Sequence, residues 1–305
     1  MFEDLFATGG GLAALASDLF AIIAPVFVCA IIGYGWARRG MPFDNEFTTS
    51  LTSNIAFPCL IVGTLARLEI GPEAFSQMAL GGLITVVATI AAAAAVLKLA
   101  GLAQPVYLPS LVFGNTGNIG LPLCLFAFGE EGLALAIVFF TVFLLIQFTF
   151  GIWVSSGHGS VGILLRTPLV WAGAIGISLQ LLDIHLPEWV DNTIGLIGGM
   201  AIPLMLLTLG ISLAKLKVTS LKRSVALSFG RLGIGLAIGF AVAELLGLQG
   251  ASRGILILES AMPVAVLNYL FAARYNRSPE EVAGLVLVST TISFITMPAL
   301  LLLVL

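Results

Sequence analysis

The sequence has very few charged residues. Only 10% of its 305 residues are Asp, Glu, Lys or Arg, whereas a typical soluble domain has about 25%. Its cysteines and histidines show no metal-ligand spacing, so we expect no metal site, no disulfide framework and no cofactor. The chain also lacks basic clusters with interleaved aromatic residues, which argues against nucleic-acid binding. This scarcity of charge excludes an ordinary soluble fold for a chain of this length.

Long apolar runs take the place of the missing charges. Hydrophobic residues make up 59% of the chain, and a helix that spans a bilayer needs about 20 mainly apolar residues. The runs predict a single membrane domain over residues 1–305, all-α, with ten transmembrane helices. These predicted spans are 18–37, 46–66, 75–98, 106–128, 132–155, 167–184, 192–214, 222–247, 253–274 and 281–304.

The basic residues predict the orientation, because cytoplasmic loops carry an excess of Lys and Arg. If the N-terminus lies outside, only Arg67 and Arg253 near the ends of predicted spans fall on the outer side. We therefore expect a multi-pass protein of the cell (inner) membrane, with both termini outside. The basic residues on the predicted cytoplasmic side are Arg38, Arg39, Lys98, Arg166, Lys215, Lys217, Lys222, Arg223, Arg274 and Arg277.

The second half of the chain repeats the proline positions of the first half. Three pairs of prolines lie in corresponding spans at nearly one offset. Because five spans is an odd number, a second copy must be inverted, and inverted repeats are a common construction of secondary transporters. We expect repeat one at about 18–155 and repeat two at about 167–304. The pairs are Pro25 with Pro168, Pro58 with Pro203, and Pro122 with Pro263.

The fourth predicted span is interrupted in the middle by the segment GNTGNIGLP (114–122). Glycine and proline disfavour a helix, and proline also removes a backbone donor. Backbone freed at this depth is tolerated only where it is buried in protein or lines a wet cavity. The alternative is that these small and polar residues only allow neighbouring helices to pack closely.

The ninth predicted span has a matching break at Pro263, with Asn268 one turn beyond it. Glu259, just before the break, is the carboxylate that we expect nearest a bilayer midplane. A charged group in that position is costly and by default marks a functional site. It could hold a cation or exchange a proton, and the alternative is a purely structural pairing with a neighbouring amide.

Arg231 is a basic residue in the interior of a predicted span, the eighth. Long basic side chains in this situation extend toward the membrane interface. We expect Arg231 either to do so or to pair with lipid or loop groups, and a role in function is the alternative.

Two broken helices in corresponding positions of two inverted halves predict a binding site between them. Each break leaves a half-helix N-terminus, near Ile119 and near Val264, and helix N-termini attract anions. We therefore expect a substrate with an anionic group such as a carboxylate. The residues predicted to bind it are Asn115, Asn118, Gly120, Pro122, Pro263 and Asn268.

Two stretches resemble the auxin efflux carrier family, which includes plant carriers and many bacterial members. GNTGNIGLPL (114–123) resembles the motif of the family's fourth helix, and SAMPVAVLNYLFAARYNRSPEE (260–281) resembles part of its last two helices. The resemblance extends over the ten-helix layout. It implies that helices 4 and 9 are broken and cross at their prolines, here Pro122 and Pro263.

The resemblance also implies two subdomains and an elevator mechanism. Helices 1, 2, 6 and 7 (about 18–66 and 167–214) correspond to a scaffold, and helices 3–5 and 8–10 (about 75–155 and 222–304) to a transport domain that moves against it. Family members carry organic anions such as auxin, malate or malonate, and homodimers formed through the scaffold occur among the plant members.

The bile acid:sodium symporters share this architecture, and a ninth-helix glutamate binds sodium in them. Glu259 lies at a similar place. The resemblance therefore implies that Glu259, Asn115 and Thr116 hold a coupling ion, either H+ or Na+.

Two transport functions stay open, a carrier of small organic anions and a sodium-coupled symporter of bile-acid-like or other amphipathic acids. A receptor or a structural scaffold is a further alternative. A membrane enzyme is disfavoured, because the sequence shows no HExxH motif, no acid pair of the GxGD type and no Ser/His pair in its spans.

Overall fold

The computed structural model describes residues 11–67, 71–157, 162, 166–182 and 184–305. In these residues the chain is helical, with short π-helical turns at Thr52–Ala56, Thr116–Gly120 and Gln147–Gly151. Most of the 155–166 connection between the predicted repeats lies outside the described residues. The α-helices are α1 (Gly11–Arg38), α2 (Asn45–Leu51), α3 (Phe57–Arg67), α4 (Pro72–Leu99), α5 (Gln104–Val112), α6 (Leu121–Ile146), α7 (Ile152–Ser156), α8 (Pro168–Leu181), α9 (Glu188–Gly198), α10 (Ala201–Lys215), α11 (Leu221–Leu245), α12 (Gly250–Ser260), α13 (Val266–Arg274) and α14 (Pro279–Val304).

Seven helical runs in the described residues are long and apolar enough to cross a membrane. This bears out the predicted class, an all-α protein that passes through the membrane several times. The seven runs are Ser17–Arg38, Asn45–Arg67, Glu73–Leu99, Thr116–Ser156, Glu188–Lys215, Leu221–Leu245 and Pro279–Val304.

The other predicted spans do not form separate helices of that length. The fourth and fifth meet in one run, Thr116–Ser156, where Gly129 leaves helical geometry with φ 71° and ψ −162°. Glycine accommodates a positive φ without steric cost, so the chain turns close to the predicted boundary between the two spans. The sixth span is the 14-residue α8, and the ninth is divided between α12 and α13. The count of ten crossings stays a prediction.

Helices α1 and α10 lie in backbone contact. A β-carbon added at Gly33 would lie 2.9 Å from the carbonyl carbon of Leu207, and one at Gly210 would lie 2.8 Å from that of Ala30. Small residues allow such close approach between membrane helices. Helix α3 packs in turn against α8 and α9.

The remaining helices pack mainly on one another. Helix α11 contacts α4, α12 and α14, and α6 contacts α4 and α12. The main link to the other helices runs through α6, which also contacts α1, α3 and α8. At this link the rings of Phe57 and Phe140 lie 5.1 Å apart.

Candidate binding site at the helix crossover

Two interrupted helices meet in the buried interior. The segment after α5 and the segment between α12 and α13 run antiparallel and form an isolated bridge. Backbone polar groups buried away from water need partners, and this pairing satisfies part of the backbone that the two breaks expose. The bridge joins Gly114 with Val264, the Asn115 N–H donates to the Pro263 carbonyl at 2.6 Å, and the Ala265 N–H donates to the Phe113 carbonyl at 3.1 Å.

Side chains from three helices complete the crossover. The Asn268 amide nitrogen donates to the Phe113 carbonyl at 2.7 Å, and its oxygen accepts from Gln147 Nε2 at 3.3 Å. The Val264 N–H donates to Ser289 Oγ at 3.0 Å. Asn268 is 2% exposed and does not line the neighbouring cavity. The structure therefore places Asn268, a predicted substrate ligand, as a brace of the broken backbone.

A cavity of about 480 Å³ lies beside the crossover. One wall comes from the crossover itself and includes Asn115, Thr116 and Asn118. The facing wall comes from α2, α3, α8 and α10. Arg166 and Lys215 also line the cavity, and both are exposed, so they mark the side on which it reaches the surface.

The first turns of two helical segments face this cavity. Thr116, Gly117 and Asn118 form the first turn of the segment that continues into α6, and Val266 and Leu267 begin α13. The first N–H groups of a helix have no acceptor within that helix. Together with the helix dipole they stabilise an anion. The cavity therefore has two donor-rich helix ends suited to one negatively charged group.

The helix starts differ slightly from the predicted positions. They were expected near Ile119 and Val264, and the structure starts the two helical segments at Thr116 and Val266. Pro122 is the second residue of α6 and directly follows the π-helical turn Thr116–Gly120, so it lies inside the continuous helical segment. Glycine and asparagine residues, rather than Pro122, form the fourth-span side of the crossover.

Glu259 lies in the last turn of α12, away from the cavity surface, and is 0% exposed. The Cys124 thiol donates to its Oε1 at 3.6 Å, and its Oε2 has no hydrogen-bond partner within the described residues. A β-carbon added at Gly120 would lie only 2.6 Å from the carboxyl carbon of Glu259. Gly120 is thus in contact with the carboxylate and does not line the cavity.

The change Gly120→Ala is expected to lower stability by about 1–3 kcal/mol, because the added methyl group would overlap the Glu259 carboxylate. The measurement is the apparent melting temperature in detergent. Gly230→Ala is the matched control, since a β-carbon at that helical position meets nothing within 4 Å. Equal melting temperatures for the two variants would contradict the close contact.

Arg231 is 1% exposed and belongs to the buried interior next to the crossover. The expectation that it extends to the interface or pairs with loop groups is therefore wrong. Its register on α11 directs the side chain inward, toward Gly114 and Gly235.

Sequence reasoning missed much of the cavity wall. The side chains of α2 and the following π-helical turn line the cavity, and Arg166 and Lys215 served only to predict orientation. A signal for the wall was present, because a polar run unusual for a membrane helix begins at Asn45 and extends into the second predicted span. The polar residues of that run that line the cavity are Asn45, Thr49, Thr52, Ser53 and Asn54.

Comparison with known proteins fits a transporter. A family model described as membrane transport protein matches residues 152–301, and the chain is similar to an uncharacterized transporter of Methanothermobacter thermautotrophicus. The identity is 27% over 299 residues, which cover 90% of this chain and 95% of the relative. These matches relate the chain to the auxin efflux carrier family of membrane transporters. The predicted resemblance to this family is confirmed, and the comparisons indicate a membrane transporter rather than an enzyme.

Two further proteins are similar to this chain. An uncharacterized transporter of Methanocaldococcus jannaschii is 27% identical over 251 residues, which cover 78% of this chain and 73% of the relative. Auxin efflux carrier component 1 of Arabidopsis thaliana is 23% identical over 124 residues, which cover 38% of this chain and 20% of the plant protein.

Proposed function

We propose that this transporter carries small organic anions, carboxylates among them, by secondary active transport. In the proposal the chain crosses the membrane ten times, as two inverted five-helix repeats, and the substrate binds at the crossover. The matching breaks support the repeat: each half contains a helix that stops, pairs through a short extended segment, and continues. Discontinuous helices that meet in this way form substrate sites in several transporter folds.

The observation that carries the proposal is the convergence of two helix N-termini on one cavity. A carboxylate there would accept hydrogen bonds from the first turns that begin at Thr116 and Val266. Asn115 adds a buried side-chain nitrogen that has no acceptor among the described residues, and Asn118 lines the same wall. A buried donor without a partner is costly, so a ligand oxygen at this position would be favourable.

The packing supports an elevator-type movement between two groups of helices. The first group, α1–α3 and α8–α10, is held together by close contacts such as that at Gly33. The second group contains both broken helices. The substrate cavity lies between the groups, and a second cavity of about 360 Å³ lies between them at the other end of α3, where Arg67 and Glu130 line it. Movement of the second group would open the two cavities in turn.

The orientation in this proposal follows the basic residues. If Arg166 and Lys215 face the cytoplasm, the larger cavity opens inward and both termini lie outside the cell membrane. The two cations would then raise the local concentration of anions at the cytoplasmic entrance.

The identity of the coupling ion distinguishes the proposed function from its alternative, a sodium-coupled symporter of bile-acid-like acids. Glu259 supports coupling to H+ or Na+, because one of its carboxylate oxygens is buried without a hydrogen-bond partner in the described part of the chain. Asn115 and Thr116 lie on the cavity side of the same crossover. Uptake that requires sodium would favour the alternative.

We expect Glu259→Gln to change the pH or sodium dependence of transport more than it changes folding, because the amide keeps the shape of the side chain but not its ability to ionise. Initial uptake rates across a series of pH values, with and without sodium, are the measurement. Glu244→Gln is the control, since that side chain is 73% exposed. Identical profiles for wild type and Glu259→Gln would remove Glu259 from the coupling mechanism.

A ligand screen by thermal shift tests the proposed substrate class. Carboxylates are expected to raise the melting temperature of the purified transporter, and the corresponding neutral amides are not. Stabilisation by amines or by neutral compounds alone would contradict an anion site. Running the screen with and without sodium separates the two transport functions.

A further inference from the structure

The guanidinium group of Arg231 fills a narrow space between two glycines at the crossover. A β-carbon added at Gly235 would lie 2.8 Å from its Nη1, and one at Gly114 would lie 3.3 Å from its Cζ. Gly114 is the bridging residue of the first broken helix. Both glycines are therefore required for the group to fit, and the positive charge is held directly against the paired backbone segments.

Two helix C-termini point at the same place. Helix α5 ends at Val112, before the bridge, and α12 ends at Ser260. The carbonyls of this end of α12 lie beside the guanidinium, because the β-carbon added at Gly114 would also lie 2.9 Å from the Met262 carbonyl oxygen. The one added at Gly235 would lie 3.0 Å from the Ser260 carbonyl carbon. Helix C-termini carry partial negative charge and are stabilised by a nearby cation.

No carboxylate pairs with Arg231 in the described parts of the chain. The ion pairs recorded there join Arg67 with Asp191, Arg223 with Glu281, and Arg253 with Glu244. The Nε atom of Arg231 is buried, and no acceptor for it occurs among the described residues. The ends of α5 and α12, with the Ser260 and Met262 carbonyls, are thus the negative groups that lie beside this charge.

The crossover therefore has two electrically opposite sides. The helix N-termini face the cavity, and the helix C-termini face Arg231. In transporters with discontinuous helices, such C-terminal ends and unwound carbonyls coordinate the coupling cation. We propose that Arg231 is a built-in cation that takes the place of a coupling Na+ at the crossover, so that this transporter works without sodium. This inference rests on the proposed transport function, and it excludes sodium as the coupling ion.

Electrostatics supports the exclusion of sodium. A second cation bound at the end of α12 would lie close to a fixed positive charge in a medium of low dielectric constant, where like charges repel strongly. Glu259 forms no ion pair with Arg231 in the described structure. It contacts Cys124 and Gly120, whereas Ser260 packs toward Gly239 on α11. Arg231 is accordingly a positioning residue, which holds the two broken segments in their paired geometry.

Chemical rescue of Arg231→Ala tests this inference. The change removes the guanidinium group and leaves a space of matching shape, so guanidinium ion at millimolar concentration is expected to bind there. We expect wild-type uptake to be the same in sodium and in choline buffers. Uptake by Arg231→Ala should fall by about tenfold or more, because the buried charge beside the ends of α5 and α12 is lost. Guanidinium should raise both its uptake and its melting temperature, and tetramethylammonium, which has no N–H donors, should not.

Arg253→Ala is the matched control, since Arg253 pairs with Glu244 at 3.6 Å near the other end of α12. Guanidinium should not stabilise that variant. If Arg231→Ala does not fold, Arg231→Lys is measured in its place, because lysine keeps the positive charge. Uptake by Arg231→Lys should remain independent of sodium.

Two results would overturn the inference: wild-type uptake that requires sodium, or an Arg231→Ala protein that does not respond to guanidinium. Sodium-dependent uptake by Arg231→Lys would also overturn the inference. The melting temperature of Arg231→Ala with guanidinium needs no substrate. It therefore tests the built-in cation even if no organic anion proves to be transported.

Discussion

Replacing Asn115 with Asp is expected to abolish the transport of organic anions. The two side chains have the same shape, but the change removes a buried amide donor and adds a negative charge in the cavity wall. Two like charges about 4 Å apart repel by about 4 kcal/mol when the effective dielectric constant is about 20. This energy corresponds to about a thousandfold weaker binding of an anionic substrate. Uptake into proteoliposomes and carboxylate-induced thermal stabilisation measure the effect.

The matched control for this change is Asn276→Asp. Asn276 lies in an exposed turn after α13 and does not line the cavity, so the same substitution there should leave uptake unchanged. An Asn115→Asp protein that transports carboxylates at the wild-type rate would rule out an anion bound at this wall. Transport of an amine gained by the variant would indicate that Asn115 selects the charge of the substrate.

The second large effect is expected for Pro263→Ala. Proline disfavours a helix by about 3 kcal/mol relative to alanine, so the change favours helical continuation from α12 into α13. Such continuation would withdraw the Pro263 carbonyl from the Asn115 N–H and break the bridge. We expect the variant to insert and remain folded but to lose transport. Its elution from a sizing column and its uptake rate are the two measurements.

Pro298→Ala provides the control for the proline change. Pro298 lies inside α14 at an exposed position, away from the crossover. The substitution there should favour the helix and leave uptake intact. Wild-type flux through Pro263→Ala would show that the break in the ninth span is not needed for transport, and the site at the crossover would then be wrong.

The membrane class and the two breaks could be predicted from the sequence because both follow from local chemistry. Apolar runs of bilayer length predict spans, and the glycines and asparagines after Gly114 cannot continue a regular helix without cost. The pairing partner of each break was also predictable, since the breaks occupy matching places in the two halves. The bridge between Gly114 and Val264 is what that correspondence leads one to expect.

The roles of individual polar residues could not be predicted, because they depend on helix register and on distant contacts. Asn268 and Gly120 both lie next to a break in the sequence, yet one braces the Phe113 carbonyl and the other contacts Glu259. Gln147, which supports Asn268, comes from a π-helical turn far from either break.

Arg231 shows the same dependence on register. Its position in the chain suggested an exposed or paired cation, and only the packing of α11 against the broken helices makes it the buried charge of the crossover. Its contacts with Gly114 and Gly235 do not follow from the spacing of residues along the chain.

The most direct test of the central claim is a counterflow assay in proteoliposomes loaded with unlabelled carboxylate. We predict that labelled carboxylate accumulates saturably in liposomes that contain the wild-type transporter and that accumulation is absent with Asn115→Asp, whose change lies in the cavity wall. Absence of exchange for every carboxylate tested, or equal exchange by the two proteins, would contradict an organic-anion site at the crossover.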